Sequence, residues 1–339
     1  MARRTSNKIE PAVQTLFFTG LTVPASGSSE FYLDLSQCAS LANRRFYRQG
    51  INWAVAGFKM VSGADTRALT SISKLPNTWV LSNSWEKSMR AWLKMSNEAL
   101  EEAESVRPRF LDFKIYADSS HHNAGFGANL LPHGHEPGEW DASKIYTPNG
   151  PNFPGNTNEF EIIAVGPNYP GLGTSGLNAV SMIEGYAASR ALPAVDEPNT
   201  PADAVDADGS TPENWMSAMF NEGTDQDSEV LNDMRFDNRT NPYPFEGAQI
   251  VGSPPGTVYT DTMYPGGANN AVILQQHDRE FISSTTIGGT TRFKGGNFPC
   301  GLIKIAIVNL TEVEIEPQLY IDLIPGNHRG YLCEPMTEM

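Results

Sequence analysis

Ile51-Asn-Trp-Ala-Val-Ala-Gly-Phe-Lys-Met60 is the stretch on which the fold turns. Its β-branched and aromatic residues favour a pleated, half-buried backbone, and Gly57 within it marks a bulge or a close backbone approach. Similar runs flank it. Thr15-Leu-Phe-Phe-Thr-Gly-Leu-Thr-Val23 and Phe31-Tyr-Leu-Asp-Leu35 precede it and Ala68-Leu-Thr-Ser-Ile-Ser73 follows, with Pro24, Gly27, Gly50, Gly63 and Pro76 between them. Runs of this kind separated by turn residues read as strands.

Strands return at the other end of the chain. Thr257–Met263, Ala271–Gln276, Glu280–Thr286, Thr290–Lys294, Leu302–Val308, Glu312–Glu316 and Leu319–Ile324 are nearly pure β-type sequence. Glu312-Val-Glu-Ile-Glu316 alternates strictly, which predicts one wet face, and Pro317 predicts a break or an edge. Phe31-Tyr-Leu-Asp-Leu35 and Leu319-Tyr-Ile-Asp-Leu323 echo each other, a faint sign of duplication. The regular strand–helix rhythm of a parallel α/β fold is missing.

Between the blocks the pattern changes. Asn83, with Glu86 three positions on, forms a capping-box arrangement, and Trp85, Met89, Trp92, Ala99 and Ala103 trace one apolar helical face. This predicts a helix over 84–103, stopped by Pro108 and followed by an alternating strand over 109–116. Residues 119–158 are loop-like, with five prolines. Phe160–Val165 reads as a strand, Leu177–Ala191 as a second helix, Pro193–Gly209 as an acidic loop, and Trp215, Met216, Met219 and Phe220 as a short helix.

The expected fold is mainly β: a double jelly-roll, two β-barrels or sandwiches with one or two helices and long loops. Its parts are a flexible basic arm over 1–14, a first barrel over 15–165, a helix and long acidic loop over 166–245, and strands completing a second barrel over 246–339. Trp53, Trp85 and Trp92 are expected core anchors.

Charge and cysteine content narrow the function. The chain has 339 residues and a net charge of −15. Residues 191–240 hold twelve acids against Arg235 and Arg239, a net of −10, leaving −5 for the other 289. Bulk electrostatics therefore oppose nucleic-acid binding. Only Arg3, Arg4 and Lys8 form a basic arm, read either as a solvated terminus or as a contact for anionic nucleic acid or lipid. No apolar window reaches membrane-spanning length, and the start has no stretch suited to a secretory signal. Cys38, Cys300 and Cys333 are odd in number and far apart, so neither a disulfide framework nor a zinc site is expected, and synthesis in a reducing compartment is. The sequons at Asn238 and Asn309 then read as chance matches.

Each candidate site fails a spacing requirement. Gly171-Leu-Gly173-Thr-Ser-Gly176 fits G-x-G-x-x-G, yet Gly166–Pro170 intervenes after the strand, and Pro193 and Pro198 block a second parallel strand. A loop capping a helix is the plainer reading. His121, His122, His133 and His135 lie within fifteen residues, beside Asp118, Glu136 and Glu139, but in no compact metal motif. They keep a cupin-like metalloenzyme alive as the alternative. Asp203-Ala-Val-Asp206-Ala-Asp208-Gly209 fails the EF-hand spacing, since Trp215 falls where a bidentate Glu belongs. Glu159 and Glu161 could serve glycoside hydrolysis, although alternating acids on a strand are common without it. G-x-S-x-G does not occur. No catalytic residue, cofactor or metal is therefore expected.

Cys38-Ala-Ser-Leu-Ala-Asn-Arg-Arg-Phe-Tyr-Arg-Gln-Gly50, Ser73-Lys-Leu-Pro-Asn-Thr-Trp79 and Val106-Arg-Pro-Arg-Phe-Leu-Asp-Phe-Lys-Ile-Tyr116 together resemble major capsid proteins of small tailless icosahedral DNA viruses. The nearest group is the finnlakevirus-like, membrane-containing single-stranded DNA phages. The likeness covers mainly residues 15–135 and, less clearly, 298–335. It implies a non-enzymatic coat subunit of two jelly rolls, standing in homotrimers that contact neighbouring capsomers and other virion proteins. Its basic terminus would face an internal membrane or the genome, and no small-molecule substrate is implied. The implied location is the virion, after synthesis in the host cytoplasm. One departure is that three basic residues fall short of a long arginine-rich arm. The alternatives are a cupin-like metalloenzyme, a carbohydrate-active β-sandwich protein, and a secreted adhesion module.

Overall fold

The computed structural model describes residues 12–63, 65–101, 112–148, 157–188, 215–218, 273–285 and 289–339. The chain forms two compact units. The first joins residues 1–73, 130–137 and 276–335; the second joins 74–129, 138–275 and 336–339.

The first unit is built on the strand predicted at the outset. Its strands are β1 (Thr15–Phe18), β2 (Ser28–Asp34), β3 (Ile51–Val61) and β4 (Arg67–Lys74), while the later part of the chain supplies β8 (Gln275–Ser283), β9 (Thr290–Phe298), β10 (Leu302–Asn309) and β11 (Gln318–Leu323). They make two sheets. In one, β9 and β11 lie on either side of β3, and β1 lies outside β11; in the other the order is β2-β10-β4-β8. Strands from the two ends of the chain alternate in both sheets, which is the order of one eight-stranded jelly roll of two Greek keys. The expected division into barrels over 15–165 and 246–339 is corrected here: residues 15–74 and 275–323 complete one roll together. Phe31–Leu35 and Leu319–Leu323, the suspected duplicates, belong to opposite sheets of it.

Alternation sets the packing. β4 and β11 bury every second residue, and their inward side chains join Trp53, Phe58, Met60, Phe293, Phe298, Ile303, Ile305 and Ile307 in one apolar core. Gly57 behaves as expected. Pairing with β11 skips Ala56 between Asp322–Gly57 and Leu323–Val55, a bulge. Across the sheet, a Cβ on Gly295 would stand 2.2 Å from the Ala56 carbonyl oxygen and 2.3 Å from that of Val55. Only glycine fits so close an approach.

One end of the roll is laced by the β1–β2, β3–β4, β8–β9 and β10–β11 connections. Asn309 N–H donates to Gly27 C=O, Ser26 N–H to Thr311 C=O, Leu310 N–H to Arg67 C=O, and Ser62 N–H to Gly289 C=O. Glu312–Glu316 belongs to this lacing and is no strand, since only Ile315 pairs, in an isolated bridge with Val23. Asn309 is buried, its amide donating to Pro24 and Val313 carbonyls, so its sequon is not presented to solvent. At the other end α1 (Leu35–Asn43) links β2 to β3, capped by the Asp34 carboxylate, which accepts from Ser36 and Gln37 N–H groups. Beyond β11, β12 (Pro325–Gly326) and β13 (Gly330–Tyr331) form a small hairpin, and β14 (Cys333–Pro335) returns to pair with β3.

The second unit occupies the connection from β4 to β8. It holds α2 (Trp79–Glu101), α3 (Ser119–Ala124), β5 (Ile145–Pro148), β6 (Thr157–Ile163), β7 (Asn178–Ser181), α4 (Met182–Ala188) and α5 (Trp215–Ala218). The predicted helix begins five residues early, because Thr78 rather than Asn83 caps it: the Thr78 hydroxyl accepts from Leu81 N–H. Trp85 and Trp92 are buried as expected. The second predicted helix loses its first turn to β7, which pairs in parallel with β6. Ser181 then caps α4 through Glu184 N–H. Among the described residues this unit carries a three-stranded mixed sheet, β5-β6-β7, and no second jelly roll. Residues 1–11 of the arm, the acidic loop with Asp203, Asp206 and Asp208, and the strand at 257–263 lie outside the described residues, while Ala12 at the arm's end is buried. Of the strand expected over 109–116, the described residues 112–116 form only an isolated bridge between Tyr116 and Ile163.

Candidate functional site

β6 is the middle strand of its sheet, and Phe160–Val165 are buried without a break. Glu161 therefore enters the interior and needs partners there, because an unpaired buried carboxylate costs several kcal/mol. It has three. His122 Nε2 lies 2.9 Å from Glu161 Oε2 with both side chains buried, an ion-pair approach rather than an aligned hydrogen bond. Ser175 Oγ donates to the same oxygen at 2.9 Å. The Tyr116 hydroxyl makes the third contact; burial first, and then the Glu161 charge, push its phenol far above its ordinary value.

Local folding delivers each group. Asp118 caps α3 by accepting from His121 N–H at 2.9 Å, which turns His121 and His122 into the interior together. Tyr116 bridges to Ile163 beside β6, and its ring stacks on Phe126 with both histidine rings edge-on. The glycine loop closes over the group. A Cβ on Gly173 would meet His122 Nε2 at 2.6 Å, so glycine is required for the chain to pass. Thr174 Oγ1 donates to Asn123 C=O at 2.7 Å and fastens the loop to α3.

Thus the nucleotide-like glycines and half of the histidine cluster meet in one place, for a purpose neither motif predicted. The G-x-G-x-x-G loop leads into strand β7 rather than a helix N-terminus, so the phosphate-binding geometry is absent. His121 Nδ1 accepts from Ala117 N–H, which puts the ring proton on Nε2, facing Asn129 Oδ1 at 2.8 Å. Both nitrogens are engaged, leaving no lone pair for a metal. His133 and His135 belong to the first unit, where His133 contacts Thr19 and packs on Phe17. Among the described residues no three His, Cys, Asp or Glu side chains are grouped to hold a metal ion.

Glu159 and Glu161 share a strand but not an environment. Glu159 is exposed and reaches Lys144 at 3.5 Å, while Glu161 is locked inside. Ser175, His122 and Glu161 are the residue types of a nucleophilic triad in the wrong order. Activation of the hydroxyl requires histidine between serine and carboxylate. Here the carboxylate stands between them. The cluster thus works as a latch binding β6, α3 and the glycine loop. Glu161 carried a sequence signal only as half of a carboxylate pair; Tyr116, Asn129 and Ser175 carried none.

Arg3, Arg4 and Lys8 lie outside the described residues. Cys38 and Cys300 are buried and Cys333 is half-buried; all three are free thiols. Among the described residues no helix is long and apolar enough to cross a membrane. Compared with known proteins, the chain matches no family model, no curated protein and no solved structure.

Proposed function

We propose that this chain is a non-enzymatic major capsid protein that self-assembles, as trimers, into the icosahedral shell of a tailless DNA virus. The observation that carries the reading is the strand order of the first unit, with a whole second unit inserted between β4 and β8. Eight-stranded rolls of this order serve in viral capsids, in lectins and in cupins, so the fold alone does not choose among them. Two further points favour a coat. A cupin holds its metal inside the roll, and here Trp53, Phe58, Met60, Phe298 and Ile305 fill that space. Phe281 on the edge strand β8, and Val308, Leu310 and Val313 near the laced end, remain exposed, as side chains awaiting a neighbour do.

One roll builds the wall in this proposal. A second roll is what the family resemblance implies for the rest of the chain. The partners are further copies of the chain, other virion proteins, and a membrane or genome reached through Arg3, Arg4 and Lys8. The location is the virion.

Light scattering on the purified chain, with negative-stain microscopy, tests this. A trimer of 37.0 kDa subunits, or spherical particles, is the expected result. A monomer at every concentration sinks it. Stoichiometric metal, lost on substitution of His121, His122, His133 and His135, would favour the metalloenzyme instead.

A further inference from the structure

The outer face of the β1-β11-β3-β9 sheet carries a row of residues in direct register: Phe17 opposite Tyr320, Tyr320 opposite Lys59, and Lys59 opposite Arg292. The next outward row runs from Thr15 to Asp322, then Gly57, then Lys294. Three cations therefore gather at one corner of a flat face. Lys59 and Arg292 stand about 5 Å apart at Cβ, and Lys294 lies two residues along β9, about 7 Å from Arg292. Arg292 and Lys294 are exposed, and among the described residues none of the three cations makes an ion pair. Their corner is held in place. Lys294 N–H donates to the Asp278 carboxylate at 2.8 Å and its carbonyl meets His277 Nε2 at 2.9 Å, while Lys59 Nζ rests 4.9 Å from the centre of the Tyr320 ring.

Asp322 faces this corner across a gap. Its Oδ1 accepts from the Thr15 hydroxyl at 2.6 Å, and among the described residues no cation pairs with it. Gly57 stands between Asp322 and Lys294 with exposed Ala56 beside it, so about 10 Å of sheet between the two charges carries nothing larger than a methyl group. The chemistry of the face selects its ligand. Unpaired like charges this close call for an anion, and Arg292 offers the planar fork that a carboxylate or sulfate accepts. A single strand of nucleic acid fits poorly. Phe17 stacks on Tyr320 from β1 at 4.7 Å and Lys59 covers that ring from β3, so neither of its sides is left for a base. Asp322 also repels a continuous polyanion. It accepts readily from hydroxyl groups, through the oxygen that Thr15 leaves free. A ligand that answers both ends carries an anionic group and hydroxyls within about 10 Å, the span of two strand spacings.

We infer that Lys59, Arg292, Lys294 and Asp322 form a binding site for an acidic saccharide on the outer face of this sheet. The three cations hold the carboxylate or sulfate of the sugar, and Asp322 accepts from its hydroxyls across the floor that Gly57 leaves clear. The site belongs to the first unit of a single chain. It does not rest on the coat reading, and a chain that never forms particles can still be tested for it.

The test is a saturation-transfer NMR titration of the unassembled full-length chain at low ionic strength. Its probes are tri-galacturonate, a sulfated dextran oligomer, uncharged maltotriose and an oligothymidine. Three forms are compared: wild type, Arg292→Ala/Lys294→Ala, and Asp322→Asn, each verified for fold by circular dichroism. Asparagine keeps an oxygen for the Thr15 hydroxyl. Wild type should bind tri-galacturonate or the sulfated oligomer, and maltotriose about 10-fold more weakly, the worth of one hydrogen bond to a charged group. The double variant should lose about 10-fold in affinity for the acidic sugar, on the same ground. Asp322→Asn discriminates most sharply. It should weaken the acidic sugar about 5-fold, because the hydroxyls lose a charged acceptor, whereas a plain anion patch binds tighter once that negative charge is gone. Tighter or unchanged binding in Asp322→Asn overturns the inference, as does unchanged binding in the double variant. Binding to neither acidic probe overturns it too, and oligothymidine bound as tightly as the sugars overturns it in favour of nucleic acid.

Discussion

The two units fill their interiors by opposite means. Between its sheets the first is mostly hydrocarbon, broken by Thr70 within β4; its buried Asp34 and Asn309 stand at strand ends, and Asp278 within β8 accepts from Lys294 N–H. The second buries His121, His122, Glu161, Asn129, Ser84, Ser88 and Ser181, and has to satisfy them pairwise. A sandwich of alternating strands gathers apolar area with little geometric demand, so its fit tolerates variation. A mixed three-stranded sheet with one fully buried strand has no such surplus. It depends on a few directional contacts, and the glycine loop is where they are made.

The largest expected effect lies in the hydrocarbon unit. Trp53 is fully buried, its ring against Tyr47 and Tyr331 and its indole N–H donating to Ser36 Oγ. Trp53→Ala should cost about 3–5 kcal/mol, through lost transfer energy and the cavity left behind. Thermal or urea unfolding followed by tryptophan-independent circular dichroism reads the loss. A cost under about 1 kcal/mol would mean that this core is not the one described.

The polar unit should respond differently. Glu161→Leu alone leaves His122 and the Tyr116 hydroxyl buried without their acceptor, and should cost about 3 kcal/mol or more. Adding His122→Leu removes the second stranded group. Because buried ion pairs barely outweigh their desolvation, the double variant should recover a good part of the loss. A double-mutant cycle measures it. Simple additivity would break the comparison, since it would show that the pair is not coupled.

Alkaline pH tests both units at once. Burial raises Tyr331 to about 12 and Cys333 to about 12 in the first unit, and raises Tyr116 in the second, where the Glu161 charge adds to it. Each group binds its proton more tightly folded than unfolded. Their contribution is therefore fully present below the unfolded values of 9.0 for cysteine and 10.0 for tyrosine, and is lost as pH climbs toward 12. Denaturant midpoints should be flat with respect to these groups below that window and fall within it. Phenolate absorbance should lag behind free tyrosine until the chain unfolds. All phenols titrating near 10 in folded protein would rule out the burial described.

The same contrast governs what the sequence made legible. Ile51–Met60, Leu302–Val308 and Leu319–Ile324 were readable because period-two alternation is a local property, and Gly57 was readable because a bulge needs its residue in the strand itself. Which strands would pair was not. β3 takes β9 and β11 as neighbours from more than 220 residues away, and periodicity encodes a face, not a partner. The latch was half visible. His122 and Gly173 each stood out, but Glu161 separates them in sequence and its burial comes from the sheet around it. Glu312–Glu316 misled for the converse reason: strict alternation in a segment whose backbone is claimed by the lacing of four connections.

The smallest effect concerns where α2 begins. A capping box at Asn83 and Glu86 matched the known pattern, yet the apolar residues Val80 and Leu81 are buried one turn earlier and carry the helix back to Trp79. Once they are helical, the orphan N–H groups of the first turn need an acceptor upstream, and Thr78 is the hydroxyl in place to supply it. Thr78→Ala should therefore cost about 1 kcal/mol in thermal unfolding. Asn83→Ala, at an exposed position inside the helix, should cost nothing or stabilise slightly, because alanine is the better helix former there. The reverse ranking would place the helix start at Asn83, and would mean that local capping outweighs the burial of Val80 and Leu81.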